Sequence, residues 1–206
     1  MNRHAHWEQV YATKAETEVS WYQPHAATSL RLIQAAAPDR GAAIIDIGAG
    51  ASTLVDDLLA KGYRNLALLD ISETALSRSK ARLHEQAANL TWIAADITEW
   101  SPPRTWDLWH DRAVFHFLVE REQQDAYIAA LTAATKPGAS IILSTFALDG
   151  PEKCSRLPVQ RYSPDSLATR LGSAFTLTDQ LQEAHKTPWG SEQRFSYAVL
   201  KRRATG

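Results

Sequence analysis

Residues 42–53, Ala42-Ala43-Ile44-Ile45-Asp46-Ile47-Gly48-Ala49-Gly50-Ala51-Ser52-Thr53, hold a short apolar run that ends in an acid and then in two glycines. Unbroken small and branched apolar residues suit a strand buried on both faces, as in a parallel sheet. Gly48 and Gly50 allow the backbone to turn sharply and to lie close to a ligand. A helix is expected directly after the turn, capped by Ser52 or Thr53, with Leu54, Val55, Leu58 and Leu59 on its apolar face. Strand, glycine turn and helix start make a nucleotide-type site whose free N–H groups favour a carboxylate or phosphate. A dinucleotide fingerprint asks for a third small residue at the sixth position from Gly48, and that position is Thr53. The pyrophosphate reading is therefore disfavoured.

The next apolar run, Leu66 to Asp70, also ends in an acid, 20 residues past Gly50. At the C-terminal end of a second parallel strand, an acid accepts hydrogen bonds from the ribose hydroxyls of an adenosine ligand. Ser72 caps a helix expected over 73–87. A third strand, Leu90 to Ile97, carries Asp96 near its end, where it can meet the exocyclic amine of adenine while Ile71 and Ile97 sandwich the ring. A fourth strand, from Thr105, runs into the polar triplet His110-Asp111-Arg112, expected on the C-terminal rim of the sheet beside the ligand crevice. His116, between Phe115 and Phe117, reads as a partly buried packing residue.

Before the first strand, residues 1–25 form an aromatic arm containing Trp7, Tyr11, Trp21 and Tyr22. Large aromatics in a polar segment need something to cover, either the main domain or a ligand lodged between the two. Residues 26–206 read as one domain. A helix is expected over 26–37, another over 120–135 stopped by Lys136-Pro137-Gly138, and a third from Ser163 to Gly172. The fifth strand, 140–146, leads into a loop at 147–162 of the kind that carries specificity. Two β-rich segments, 175–183 and 194–201, are joined by the turn-rich 185–190 and form an antiparallel hairpin at the end of the chain.

At 206 residues with 45% apolar content, one well-buried α/β domain is expected. A formal net charge of -1 argues against a nucleic-acid surface made by bulk charge. No run approaches the ~18 apolar residues of a membrane span, and Met1 to Trp7 has no signal-peptide core. A cytoplasmic location and no membrane contact are expected. Cys154 is the single cysteine, so no internal disulfide forms, and the seven histidines show no metal-ligand spacing.

These residues resemble the class I S-adenosylmethionine-dependent methyltransferases from about residue 40 to 200. Asp46-Ile47-Gly48-Ala49-Gly50 matches the family's first motif, Asp70-Ile71-Ser72 resembles its second, Ala95-Asp96-Ile97 its third, and Lys136-Pro137-Gly138 the turn before its fifth strand. The resemblance implies a three-layer, Rossmann-like α/β fold whose seven-stranded sheet is mostly parallel with an antiparallel C-terminal hairpin. It implies S-adenosylmethionine as cofactor, with S-adenosylhomocysteine as product, held by Trp21, Asp46, Gly48, Ala49, Gly50, Asp70, Ile71, Asp96, Ile97 and His110. Two branches look similar: thiopurine-methyltransferase-like small-molecule enzymes, and small lysine methyltransferases with a G-x-G-x-S first motif. No N-P-P-[YF]-like tetrapeptide follows the fourth strand, and no added domain for gripping DNA or tRNA is visible. The expected acceptor is a small molecule, a thiol or related nucleophile, with a protein lysine as the rival. A non-catalytic methyltransferase-like binding module is the alternative of another class, and an NAD-binding oxidoreductase is disfavoured by Thr53 and the terminal hairpin. Oligomeric state is not legible. Position and chemistry make His110 the candidate base, Asp111 the group that orients it and Arg112 an anion clamp.

Overall fold

Ile44–Ile47 forms strand β1, and all four residues are buried. Its side chains alternate between two apolar layers: Ile44 packs with helix α2 (Ala27–Ala36) and helix α3 (Leu54–Ala60), and Ile45 and Ile47 face the opposite layer. That double burial accounts for the continuous apolar run in the sequence. The computed structural model describes residues 2–204.

In chain order α1 (Arg3–Thr13) precedes α2, β1 and α3, followed by β2 (Leu66–Asp70), α4 (Glu73–Leu83), β3 (Thr91–Ala94) and β4 (Trp106–Arg112). Helix α5 (Arg121–Ala134) runs straight into β5 (Thr135–Phe146). A two-residue hairpin, β6 (Lys153–Cys154) and β7 (Leu157–Pro158), leads to α6 (Pro164–Leu171), and β8 (Phe175–Lys186) and β9 (Glu192–Arg202) complete the chain. The main sheet has seven strands in the order β3-β2-β1-β4-β5-β9-β8. Strands β1 to β5 pair in parallel, whereas β9 is antiparallel to both β5 and β8. Apolar side chains of α2, α3 and α4 pack on one face, and those of α5 and α6 on the other. This is the three-layer, mostly parallel arrangement expected, with its antiparallel terminal pair.

Several boundaries differ from the sequence reading for local reasons. The helix expected to reach residue 87 ends at Leu83, because His84 takes a left-handed φ of 49° and the chain continues as 3-10 turns. Strand β3 is only four residues long, shorter than the run 90–97. Neither Ser52 nor Thr53 caps α3 as expected. The Thr53 hydroxyl donates to the Gln23 carbonyl, and the Ser52 hydroxyl accepts from the Leu54 N–H. Ser72 and Ser163 do cap their helices, accepting from the Ala75 and Ser166 N–H groups. Among the described residues, no helix is long and apolar enough to cross a membrane.

The arm folds back on the domain. Arg3, Trp7 and Tyr11 recur every fourth residue, so they share one face of α1 and look inward. The arm is fastened by the Thr74 hydroxyl and N–H, which donate to Glu8, by Arg78, which donates to the Lys14 carbonyl, and by Arg82, which bonds both Glu16 and Asp56.

Candidate active site

Parallel strands with buried N-terminal ends open their C-terminal ends towards one crevice, and the strand order sets which residues meet there. Two cavities occupy this edge. The larger encloses about 850 Å³, part of it open to solvent, and is lined at one end by Asp70, Ile71, Asp96 and Ile97. The smaller, about 620 Å³, is lined by Asp46, Ala49, Ser29 and His110. Tyr11, Trp21, Ile47, Gly48 and Arg112 line both, so the two are lobes of one bent channel that meets at the glycine turn.

Gly48 and Gly50 have φ of +66° and +49°. A Cβ on Gly50 would lie 2.7 Å from the Tyr11 hydroxyl and 3.3 Å from Asp70 Oδ2. The turn is therefore a cradle closed above by α1. Asp70 accepts the Ser72 N–H at 2.8 Å, and its burial pushes the carboxyl up to about 7. Asp96 accepts the Thr98 N–H and hydroxyl and also pairs with Arg3 at 2.8 Å, so the arm reaches the third acid directly.

The triplet at the end of β4 is divided between two faces, as strand periodicity requires. His110 and Arg112 point to the cavity side, and Asp111 to the other. Parallel register sets His110 beside Asp46, and its Nδ1 lies 2.6 Å from Asp46 Oδ1 while Nε2 lies 2.9 Å from the Ser29 hydroxyl. The partner that orients His110 is thus Asp46, which corrects the expected His110–Asp111 pairing. Both ring nitrogens are engaged, and His110 offers no free lone pair to an acceptor.

Asp111 is fully buried and binds the chain's own turn. It accepts from the Val114 and Phe115 N–H groups and from the Tyr127 hydroxyl at 2.6 Å. Burial raises its carboxyl to about 6. These bonds fix the sharp exit from β4, where Ala113 has φ 74°, and so set the positions of Val114 and His116. Asp111→Ala is expected to destabilise the protein by ~2–4 kcal/mol, since two N–H donors lose their acceptor in the interior. Denaturant unfolding checks this, and an unchanged midpoint would show that the turn holds without the carboxylate.

Arg112 donates to the Tyr197 hydroxyl and the Trp21 carbonyl, and its guanidinium lies 4.5 Å from the centre of the Phe195 ring. It joins the arm to β9 across the channel. The rest of the larger lobe is aromatic: Trp7 meets Phe117 edge-on at 5.0 Å, and Phe146 packs against Phe195 at 4.8 Å. Cys154 lines the same lobe, with its thiol pushed up to about 11 by burial. His116 is buried, and its pKa falls to about 3 through burial and the nearby Arg112.

Reading the chain alone does not place Arg3, Trp7, Tyr11, Ser29, His116, Phe117 and Gln193 in the channel wall, where the structure brings them. A signal exists for the first three, whose spacing of four marks one helix face. For Gln193 and Ser29, local sequence carries none.

A family described as a methyltransferase domain matches residues 44–138. Malonyl-[acyl-carrier protein] O-methyltransferase 2 of Ilyobacter polytropus is 29% identical over 107 residues, 52% of this chain; the chain spans 40% of that relative's length. Among solved structures, the N-methyltransferase NodS of Bradyrhizobium japonicum with S-adenosyl-L-homocysteine is 16% identical. It superposes with a TM-score of 0.73 over 96% of this chain and 98% of its own. The Burkholderia thailandensis 1,6-didemethyltoxoflavin-N1-methyltransferase is 18% identical, with a TM-score of 0.70 over 98% of this chain and 84% of its own. Residues 44–138, which carry the motifs on the channel strands, are thus similar to a methyltransferase domain, and the chain shares its fold with these solved structures over nearly its whole length.

Proposed function

We propose that the protein is a methyltransferase that uses S-adenosylmethionine to methylate a small-molecule acceptor. The observation that carries this reading is the bent channel, with Asp46 in one lobe, Asp70 and Asp96 in the other, and the glycine turn where they meet. The residues fit the cofactor: the cradle at Gly50 is too tight for a side chain, and an adenosine-sized end has acids and flanking Ile71 and Ile97. In this reading Asp46, steadied by His110 and Ser29, receives the methionine ammonium beside Gly48 and Ala49. Asp70 takes the ribose hydroxyls, and Asp96 with Ile71 and Ile97 takes the adenine. When bound, S-adenosylmethionine supplies an electrophilic methyl group on its sulfonium.

The residues of this chain orient the acceptor and exclude water, and orientation alone is worth up to ~7–11 kcal/mol of barrier in favourable cases. His110 acts as a positioning residue rather than as the base, given its two engaged nitrogens. The arm 1–25 serves as a lid: α1 covers the larger lobe, and His6 Nε2 lies 3.2 Å from the Ser155 hydroxyl in the β6–β7 turn. A roofed, aromatic lobe supports a small acceptor over a protein lysine. The similar proteins act, by name, on a malonyl-acyl carrier protein and on 1,6-didemethyltoxoflavin.

The test is titration calorimetry with S-adenosylhomocysteine, followed by incubation with methyl-labelled S-adenosylmethionine and host extract and separation of the products by size. Binding and label in a low-mass product are expected. Label in a macromolecule would favour the lysine reading, tight binding with no label would favour a binding module, and no binding would remove the cofactor assignment.

A further inference from the structure

Four buried polar atoms belonging to walls of the larger lobe have no hydrogen-bond partner among the described residues: Arg3 Nη1, whose guanidinium pairs with Asp96 through Nη2, and Arg112 Nη2, His116 Nε2 and Gln193 Oε1. Leaving such groups dry and unpaired is costly, and their concentration in one aromatic cavity points to a ligand that completes them. The types of donor and acceptor define that ligand. The Phe146 N–H donates to His116 Nδ1 at 3.3 Å, which makes Nδ1 the acceptor and leaves the proton on Nε2. The low pKa of His116 keeps the ring neutral, so Nε2–H is a donor at any ordinary pH. Arg112 is a permanent cation.

Other charges near this pair are already engaged. Glu183 forms an ion pair with Arg112, its Oε2 3.7 Å from Nη2 and so beyond hydrogen-bond reach, while the Glu183 carboxylate accepts from Gln23, Thr28 and Tyr197. Asp96 is paired with Arg3, and Asp70 accepts the Ser72 N–H.

We propose that the larger lobe takes as methyl acceptor a flat aromatic acid: an aromatic or heteroaromatic ring, stacked among Trp7, Phe117, Phe146 and Phe195, whose ionised oxygen is received by Arg112 Nη2 and His116 Nε2. Gln193 Oε1 accepts from a ring N–H or hydroxyl of the same molecule. The cation and the neutral donor supply charge-assisted hydrogen bonds in a water-poor site, where such bonds discriminate best. The ionised oxygen belongs to either a carboxylate or an acidic ring hydroxyl. This inference rests on the methyltransferase reading above.

The test measures quenching of tryptophan fluorescence, with Trp7 and Trp21 in the cavity wall, in protein with and without S-adenosylhomocysteine. The probes are benzoate, 4-nitrophenolate at pH 8, benzamide and benzylamine. One of the two anions is expected to bind roughly ten- to hundredfold more tightly than benzamide, and which one does so identifies the acid group. Arg112→Gln should bring binding of the preferred anion down to about the level of benzamide, and His116→Phe should reduce the preference should the first variant fold poorly. Equal binding of anions and benzamide, or preference for benzylamine, overturns the proposal in the unmodified protein. Retained S-adenosylhomocysteine binding without anion preference sinks only this inference. Arg112-dependent anion preference without S-adenosylhomocysteine binding sinks the methyltransferase reading and leaves an aromatic-acid site.

Discussion

Gly48→Ala is expected to lower affinity for S-adenosylhomocysteine by about a hundredfold and to destabilise the fold by ~2–4 kcal/mol. Two effects add. At φ +66° a side chain is strained in itself, and the new Cβ would lie 2.0 Å from Val114 Cγ2. The Val114 backbone is held by its N–H on Asp111 at 2.7 Å, so relief comes from turning the Val114 side chain or from moving one of the two turns. Turning Val114, moving the glycine turn or moving the exit from β4 each reshapes the channel wall, since Gly48 lines both lobes and Val114 the larger one. Thermal unfolding and calorimetry on the same variant separate the two effects. Lost stability with unchanged affinity would mean that the glycine serves the backbone alone and that no ligand lies against it.

Asp70→Asn is expected to change stability and binding in opposite directions. Burial is the main cause that pushes the Asp70 carboxyl up to about 7; the Ser72 and Gly50 N–H groups pull it down, and Asp46 and Glu8 push it further up. In the unfolded chain the same carboxyl ionises near ~3.9. Between these values the folded protein keeps a proton that the unfolded chain has lost, so stability falls as pH rises from about 4 and the loss is complete above about 7. Asparagine has no charge to bury. The free variant should therefore be more stable than the parent at pH 8, by an amount on the order of a few kcal/mol, and the advantage should vanish near pH 4. His116, whose pKa is lowered to about 3, contributes with the opposite sign, but equally in both proteins. At the same pH 8 the variant should bind S-adenosylhomocysteine ~1–3 kcal/mol more weakly, having lost a charged acceptor for the ribose. Denaturant unfolding at several pH values and calorimetry would check both halves. A variant matching the parent in both would reduce Asp70 to a strand-end acid without a ligand role.

The carboxylate that ligand binding would use is thus expensive to the empty protein, and the arm shares that tension. Tyr11 stands over Gly50 beside Asp70, and burial together with the Asp70 charge pushes its phenol well above the ordinary range. An uncharged aromatic ring packed beside a buried acid makes its ionisation harder.

Much of this architecture is legible in the chain. Two successive apolar runs ending in Asp46 and Asp70, each followed by a helix, read as parallel strands because burial on both faces removes polar residues from a strand. Alternation in 194–201 marks β9, whose residues Phe195 to Leu200 lie buried in the sheet. The expected pairing of His110 with Asp111 runs against the same periodicity and is wrong for that reason. Neighbours in a strand point to opposite faces, so the two side chains cannot share one site. His116 reads as packing, and it is buried between Phe117 and Phe146. Its free Nε2 in the channel wall shows only when the partner of each ring nitrogen is known.

What the sequence determined by itself was local: which runs become strands or helices, where the glycine turn falls, and that three acids follow strands near their ends. Periodicity, caps and backbone freedom act over a few residues, and so they can be read from a few residues. Tertiary structure decided the rest. Register between β1 and β4 gave His110 to Asp46, the fold-back of α1 brought Arg3 to Asp96, 93 residues away, and the final antiparallel pair carried Gln193 and Phe195 to the channel. Those contacts depend on strand order and on how layers close, which are properties of the whole chain's packing and leave no mark in the residues on either side.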